Sequence, residues 1–258
     1  MTPFFLFGFD VIPQAAEEIN VPLKRLGKLM IASIGLAVVF YAMVVVAIGY
    51  VLSPAEVATS MEDTGMVTAD ALAKAFNNQA MTKVLVIGGL CGIVTTWNSF
   101  LIGGSRLLFS MSMAHMLPSK FSKLHKEYNT PYVAILFLGV LSIIAPLFGR
   151  VMLVWIVDAA NFACCLAYCI VAASFLRLRN TKPHIERPFR VRHGKTIGIL
   201  ATVMAGFMAL MYILPFTSCT LVWQEWIIVG GWAIIGIALG IRSKLMYKEN
   251  FASGMDLY

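Results

Sequence analysis

The sequence predicts an all-α polytopic membrane protein, and three observations carry that prediction. Apolar residues make up 59% of the 258-residue chain and charged residues only 13%, with a mean hydropathy of +0.81. That composition suits a chain whose solvent is the bilayer rather than water. The apolar residues are gathered into runs that reach the roughly 20 residues a helix needs to cross the hydrocarbon core. The basic residues fall in the short stretches between those runs, so the net charge of +7 points to anionic lipid headgroups. Nucleic acid would require a basic face on a soluble fold.

The first element, about residues 3–19, is the one that departs from an ordinary span. It starts as an apolar helix and then meets Gly8, Asp10 and Pro13 within six residues. Gly8 tolerates dihedrals other residues avoid, and Pro13, lacking an N–H, fits only the first turn of a helix. Asp10 is expected to cap a second helical segment from Val11 by accepting from the N–H of Ile12. The backbone groups freed around Phe7, Gly8 and Phe9 would each cost several kcal/mol in lipid unless protein, water or a ligand satisfied them. The segment therefore reads either as a binding device, offering carbonyls to a cation and N–H groups to an anion, or as a kinked packing helix.

The next spans are expected at about 29–52, 81–111, 131–148 and 151–176. A polar loop occupies 55–79, with room for a short surface helix, and carries Glu56, Glu62, Asp63 and Asp70 against Lys74. The 81–111 span contains a Gly88/Gly92 pair that would let another backbone approach closely. Its polar patch of Thr95, Thr96, Asn98 and Ser99 serves either interhelical hydrogen bonds or direct solute contact. A basic loop at 117–130 carries Lys120, Lys123 and Lys126 and is expected to contain a short amphipathic helix. Only Gly149 and Arg150 separate the 131–148 and 151–176 spans, so these are expected to be antiparallel neighbours. Asp158 and Asn161, three residues apart on one helical face, are either functional intramembrane groups or residues near the outer helix end.

Residues 177–195 form the most basic loop, with Arg177, Arg179, Lys182, Arg187, Arg190, Arg192 and Lys195 against a lone acid, Glu186. Two trailing spans are expected within 196–241, joined by a short turn carrying Glu225. Gly236 and Gly240 form another close-packing pair, and Trp223 and Trp226 stand where an interfacial belt would lie. A polar tail fills 242–258. If the loop after the interruption is cytoplasmic, sixteen of the twenty Lys and Arg fall on that side. The positive-inside rule then sets the N-terminus outside and the C-terminus in the cytoplasm, in a multi-pass protein of the cell membrane. No cleavable signal peptide is evident, since Met1 leads directly into aromatic residues. The five cysteines lie in or beside apolar runs without metal-ligand spacing and read as small packing residues; no cofactor is implied.

Three stretches resemble one known family. The run Phe4 to Pro22, of the form FxxFGFDxxxxxAEEixxP, is similar to the sixth helix and following loop of amino acid permeases of the amino acid/polyamine/organocation superfamily. Gly104 to Pro118, followed by Thr130-Pro131, is similar to the family's SRLLFAMARDGxLP stretch, with Ala114-His115-Met116 in place of the commoner ARDG. Glu186 to Val191 is similar to the RPFKVP loop between the tenth and eleventh helices. The three occur in family order and cover the chain to about Arg242. The resemblance implies the second inverted repeat of a LeuT-like transporter fold over residues 1–176, plus two C-terminal helices, with the first repeat absent. Met1 then reads as an internal methionine or the start of a truncated frame.

By the same resemblance the function is secondary transport of amino acids, or related amines, by alternating access. Phe7, Gly8 and Phe9 would form the unwound strip that faces substrate, and Asp10 would cap the inner half-helix. Thr95 and Asn98 would line the cavity, and Glu17 and Glu18 would act as gate charges near Lys24 and Arg25. The partners implied are an amino acid, protons as the candidate coupling ion, the lipid bilayer and the missing N-terminal half. The alternative within the family is a non-transporting remnant or regulatory half-subunit. A membrane enzyme is disfavoured, because His115, His125, His184 and His193 lie in or near loops without metal-site spacing. A seven-helix receptor matches the count of hydrophobic segments but gives no reason for the three motifs.

Overall fold

The structure is a computed structural model that describes residues 8–14, 21–63, 65–182, 184, 187, 189–215, 217 and 219–247. All regular elements among these residues are helices: α1 (Val11–Gln14), α2 (Leu23–Val51), α3 (Pro54–Asp63), α4 (Val67–Phe76), α5 (Ala80–Met113), α6 (Tyr132–Ile144), α7 (Gly149–Thr181), α8 (Gly194–Met211) and α9 (Trp223–Tyr247). Helices α2, α5, α7, α8 and α9 contain stretches long and apolar enough to cross a membrane. The chain is thus an all-α polytopic membrane protein.

Several boundaries differ from those expected of hydropathy alone. Helix α2 begins at Leu23 rather than near residue 29, with Pro22 at its N-cap. Lys24, Arg25 and Lys28 are acceptable helix formers whose long stems reach back to the interface, so a basic stretch need not be a loop. For the same reason α7 runs on through Arg177 and Arg179 to Thr181, and α9 through Arg242 and Lys244 to Tyr247. The polar 55–79 segment is two ten-residue helices, α3 and α4, rather than a loop. They are tied by an ion pair from Lys74 Nζ to Glu56 Oε1 at 2.5 Å and by the Ser60 hydroxyl bonding to Asp70 Oδ2. In the 117–130 loop the amphipathic helix is replaced by a single 3₁₀ turn, Ser119–Ser122.

The expected 131–148 span is α6 followed by a 3₁₀ turn, Ala145–Phe148, so the α-helical part is 13 residues. Pro146 explains the change, because it cannot donate the backbone bond that would continue the α-helix. Gly149 then takes φ +85°, a left-handed conformation that suits glycine, and starts α7 in a new direction. As a result α6 packs on α5, and its contact with α7 runs through the 3₁₀ turn, not along the two helices as antiparallel neighbours. One polar bond marks the α5–α6 seam: Trp97 Nε1 donates to Ser142 Oγ at 3.1 Å.

The closest helix pair is α7 with α8, and small residues make it possible. A Cβ added at Gly198 would stand 2.6 Å from Leu176 Cδ2 and 3.0 Å from Phe175 Cδ1. Helix α9 closes the other side, where Phe162, Cys165, Ala209, Tyr212 and Leu221 form the buried apolar cluster. The Phe162 ring meets Trp226 at 5.5 Å and Tyr212 at 6.3 Å between centroids. Cys165 is part of this cluster, and Cys169 Sγ reaches the Thr202 carbonyl at 3.7 Å, which suits packing residues. By contrast the most apolar windows of α2 and α5 bury nothing. Among the described residues nothing approaches Gly88, Gly92, Gly236 or Gly240, so the expected close contacts at these pairs are not made there.

Candidate functional site

Among the described residues the chain turns at 8–10, the place where Gly8, Asp10 and Pro13 lead one to expect a break. Gly8 adopts φ +115°, which a side chain would strain, and residues 8–10 form a turn before the four-residue α1. Asp10 caps differently from expectation. Its Oδ1 accepts from the N–H of Gly8 at 3.1 Å, behind it in the chain, and the N–H of Ile12 is taken by the Phe9 carbonyl at 3.3 Å. The Val11 N–H goes to the Gly8 carbonyl at 3.2 Å. The turn therefore closes on itself: a carboxylate holds an N–H on the entering side, and the two carbonyls each carry one bond at the long end of the range. Each of those carbonyls keeps a second lone pair. Phe7, Glu17 and Glu18 lie outside the described residues.

Two helices grip this turn. On one side, α1 lies on α5 at Gly103, where an added Cβ would meet the Gln14 side-chain oxygen and come within 3.3 Å of both Val11 methyl groups. On the other, the Phe9 ring sits 5.7 Å from the Tyr168 ring of α7, tilted by 32°. The Asp10 carboxylate acts electrostatically on both Cys164 and Tyr168 of that helix. Gly8, Phe9 and Asp10 are all half-buried, so the turn is enclosed on the sides of α5 and α7 without being sealed.

Thr95 and Asn98 are not drawn into this grouping. Both lie on an exposed stretch of α5, eight and five residues before Gly103, and at about 100° per residue they are rotated roughly 80° and 140° away from it. The Thr95 hydroxyl bonds into its own helix, to the carbonyls of Gly92 at 2.8 Å and Cys91 at 3.2 Å, and Ser99 does the same to Thr95 at 3.0 Å. Thr96 and Ser99, within about 40° of the Gly103 direction, are the members of the polar patch that share its face.

Helix α7 supplies what the residue pattern did not single out. Cys164 and Tyr168 share a stripe with Asn161, three and seven residues on, and that stripe faces the interruption. Asn161 is fully buried, at 0% exposure, and among the described residues neither its Nδ2 nor its Oδ1 has a hydrogen-bond partner. Asp158 lies on the flank toward α9, within electrostatic reach of Glu225. Glu225 is 5% exposed and belongs to the first turn of α9 rather than to a linking turn. Its Oε2 accepts from the Val222 N–H at 2.9 Å, closing that helix end. Tyr168 could have been found in the sequence as the aromatic two turns beyond Asn161.

Spanning helices thus lie beside a turn with half-buried backbone and a carboxylate, in a polytopic membrane protein. The sequence profile described as amino acid permease matches residues 3–239. The branched-chain amino acid permease BcaP of Bacillus subtilis is 29% identical over 80% of this chain and 43% of its own length. The methylthioribose transporter of the same organism is 26% identical over 89% of the chain and 48% of its length. Its glutamate/serine transporter AimA is 25% identical over 95% and 43%. The chain belongs to the amino acid permease family, a family of transporters rather than enzymes. It spans a little under half the length of these curated relatives.

Proposed function

We propose that this chain supplies the second five-helix repeat, residues 1–176, and two trailing helices of a secondary amino acid transporter that works by alternating access. The observation that carries the reading is the self-closed turn at Gly8–Asp10, with Phe9 against Tyr168 of α7 and the following α1 seated on Gly103 of α5. An interrupted helix whose carbonyls retain free lone pairs suits the ammonium group of an amino acid. In this reading Phe7, Gly8 and Phe9 face the substrate, while Asp10 fixes the turn by holding the Gly8 N–H. Thr95 and Asn98, turned away from Gly103 within this chain, would meet the solute on the face of α5 left for a companion half, and Glu17 and Glu18 stand at the cytoplasmic gate.

The uncovered faces of α2 and α5 support a companion five-helix half as the partner that completes the cavity. The open pair Gly88 and Gly92 would admit a backbone there. The named cargoes of the relatives differ, so the substrate class is proposed no more narrowly than amino acids and similar small polar solutes, with protons as the coupling ion. The orientation is N-terminus outside and C-terminus in the cytoplasm of the cell membrane. The test is uptake of a labelled amino acid panel into liposomes that hold this chain together with a five-helix first half, under an inward proton gradient. Saturable uptake that collapses with a proton ionophore is expected; absence of flux for the whole panel, with both halves inserted, refutes the reading.

A further inference from the structure

The loop between α7 and α8 is fastened by two arginines. Arg179 Nη2 donates to the Val191 carbonyl at 2.9 Å, with its guanidinium 5.2 Å from the Phe175 ring centroid. Arg187 Nη2 donates to the Lys182 carbonyl, also at 2.9 Å. The loop so held lays the ring of Phe189 on Gly27, in the second turn of α2. A Cβ added at Gly27 would stand 2.8 Å from Phe189 Cδ1, so glycine is what permits the approach. This contact joins two basic segments that are more than 150 residues apart.

Lys24 and Lys28 lie three residues before and one after Gly27, both on one flank of it at about 60° and 100° of helix rotation. Arg190 follows Phe189 directly, its Cα about 3.8 Å from that of Phe189, and Arg192 is two residues further. All four side chains are exposed, and the salt bridge seen among the described residues is elsewhere, between Lys74 and Glu56. The contact of Phe189 with Gly27 brings these four cations to one region of the surface, and like charges gathered there favour an anion among them. Just above the cluster, on the face of Gly27, α2 turns apolar with Ile31 and Val38 exposed at 64% and 46%. A charged head over an apolar stripe is the chemistry of a phospholipid.

We propose that the docking of Phe189 on Gly27 assembles a composite site, Lys24 and Lys28 from α2 with Arg190 and Arg192 from the α7–α8 loop, for the phosphate of an anionic phospholipid whose acyl chains follow α2. The test is titration of the purified chain in neutral detergent with fluorescent short-chain phosphatidylglycerol. Phosphatidylcholine and inorganic phosphate serve as separate arms. Phosphatidylglycerol is expected to bind at least about tenfold more tightly than phosphatidylcholine, and Lys24→Gln to weaken it about fivefold, the effect of one surface cation. Phe189→Ala and Gly27→Val keep every charge yet are expected to weaken binding at least about fivefold, and Lys24→Gln should add little in the Phe189→Ala background. Helical circular dichroism and monodisperse elution confirm that each variant is folded. Wild-type affinity in both charge-preserving variants, equal binding of the two lipids, or displacement by inorganic phosphate at matched concentration would each overturn the proposal.

Discussion

Replacing Asn161 by Leu should make this protein more stable, although it removes a polar residue from the helix that packs beside the Gly8–Asp10 turn. Asn161 is fully buried, and among the described residues neither of its side-chain polar atoms is bonded. A buried donor or acceptor without a partner costs about 1–3 kcal/mol, because water served it in the unfolded chain and nothing replaces that service. Leu branches at the same carbon, with methyls bulkier than the planar amide, which α7 and its neighbours must accommodate, so the substitution deletes two unmet groups without opening a cavity. Polar groups within membrane bundles are worth less than in water, averaging about 0.6 kcal/mol, so the lower part of the range applies. The expected gain is about 2 kcal/mol, roughly thirtyfold in the unfolding equilibrium. Asn161→Ala should gain less, since it leaves a void, and Asn161→Asp should lose stability by placing a charge in the same enclosure. Unfolding of the purified chain by sodium dodecyl sulphate in mixed micelles, followed by circular dichroism, measures all three. A lower midpoint for Asn161→Leu than for wild type would mean that the amide is satisfied after all, and would undo the reasoning.

Three further outcomes follow from other parts of the fold. Gly103→Val should push Val11 and Gln14 off α5 and loosen the turn; in a variant whose one cysteine is Cys164, maleimide labelling should quicken several-fold, and an unchanged rate would separate Cys164 from the turn. Trp97→Phe keeps the ring but loses the bond to Ser142 Oγ, and should destabilise the α5–α6 seam by about 1 kcal/mol in the same unfolding assay. The Lys74 ammonium, with the N–H and hydroxyl of Ser53, holds the Glu56 carboxyl down at about 2 from an ordinary 4.5. Because the folded value is depressed, the α3–α4 tie is complete above pH 4.5 and is lost as pH falls toward 2. Hydrogen exchange in α3 should rise across that window, and Lys74→Gln should move the rise to higher pH.

The residues that could be read in order were those whose effect is local. Apolar runs, the basic ends and the Gly8–Asp10–Pro13 interruption follow from hydropathy and from what glycine and proline do to their own backbone. Helix ends were read less well, because Lys and Arg at 24–28, 177–179 and 242–244 look like loop residues while being good helix formers at an interface. The capping of the turn was legible as a role for Asp10 but not as a bond, since a short carboxylate can reach an N–H on either side of itself.

What the sequence by itself determined is the class: a chain of this composition and periodicity must satisfy its backbone within helices. The tertiary structure alone decided the company each helix keeps. Pro146 and Gly149 steer α6 onto α5, Phe189 finds Gly27 across more than half the chain, and Tyr168 comes to rest beside Phe9. The periodicity of a helix tells which residues share a face but not which other helix that face will meet, because in lipid every apolar face is soluble and the partner is chosen by shape.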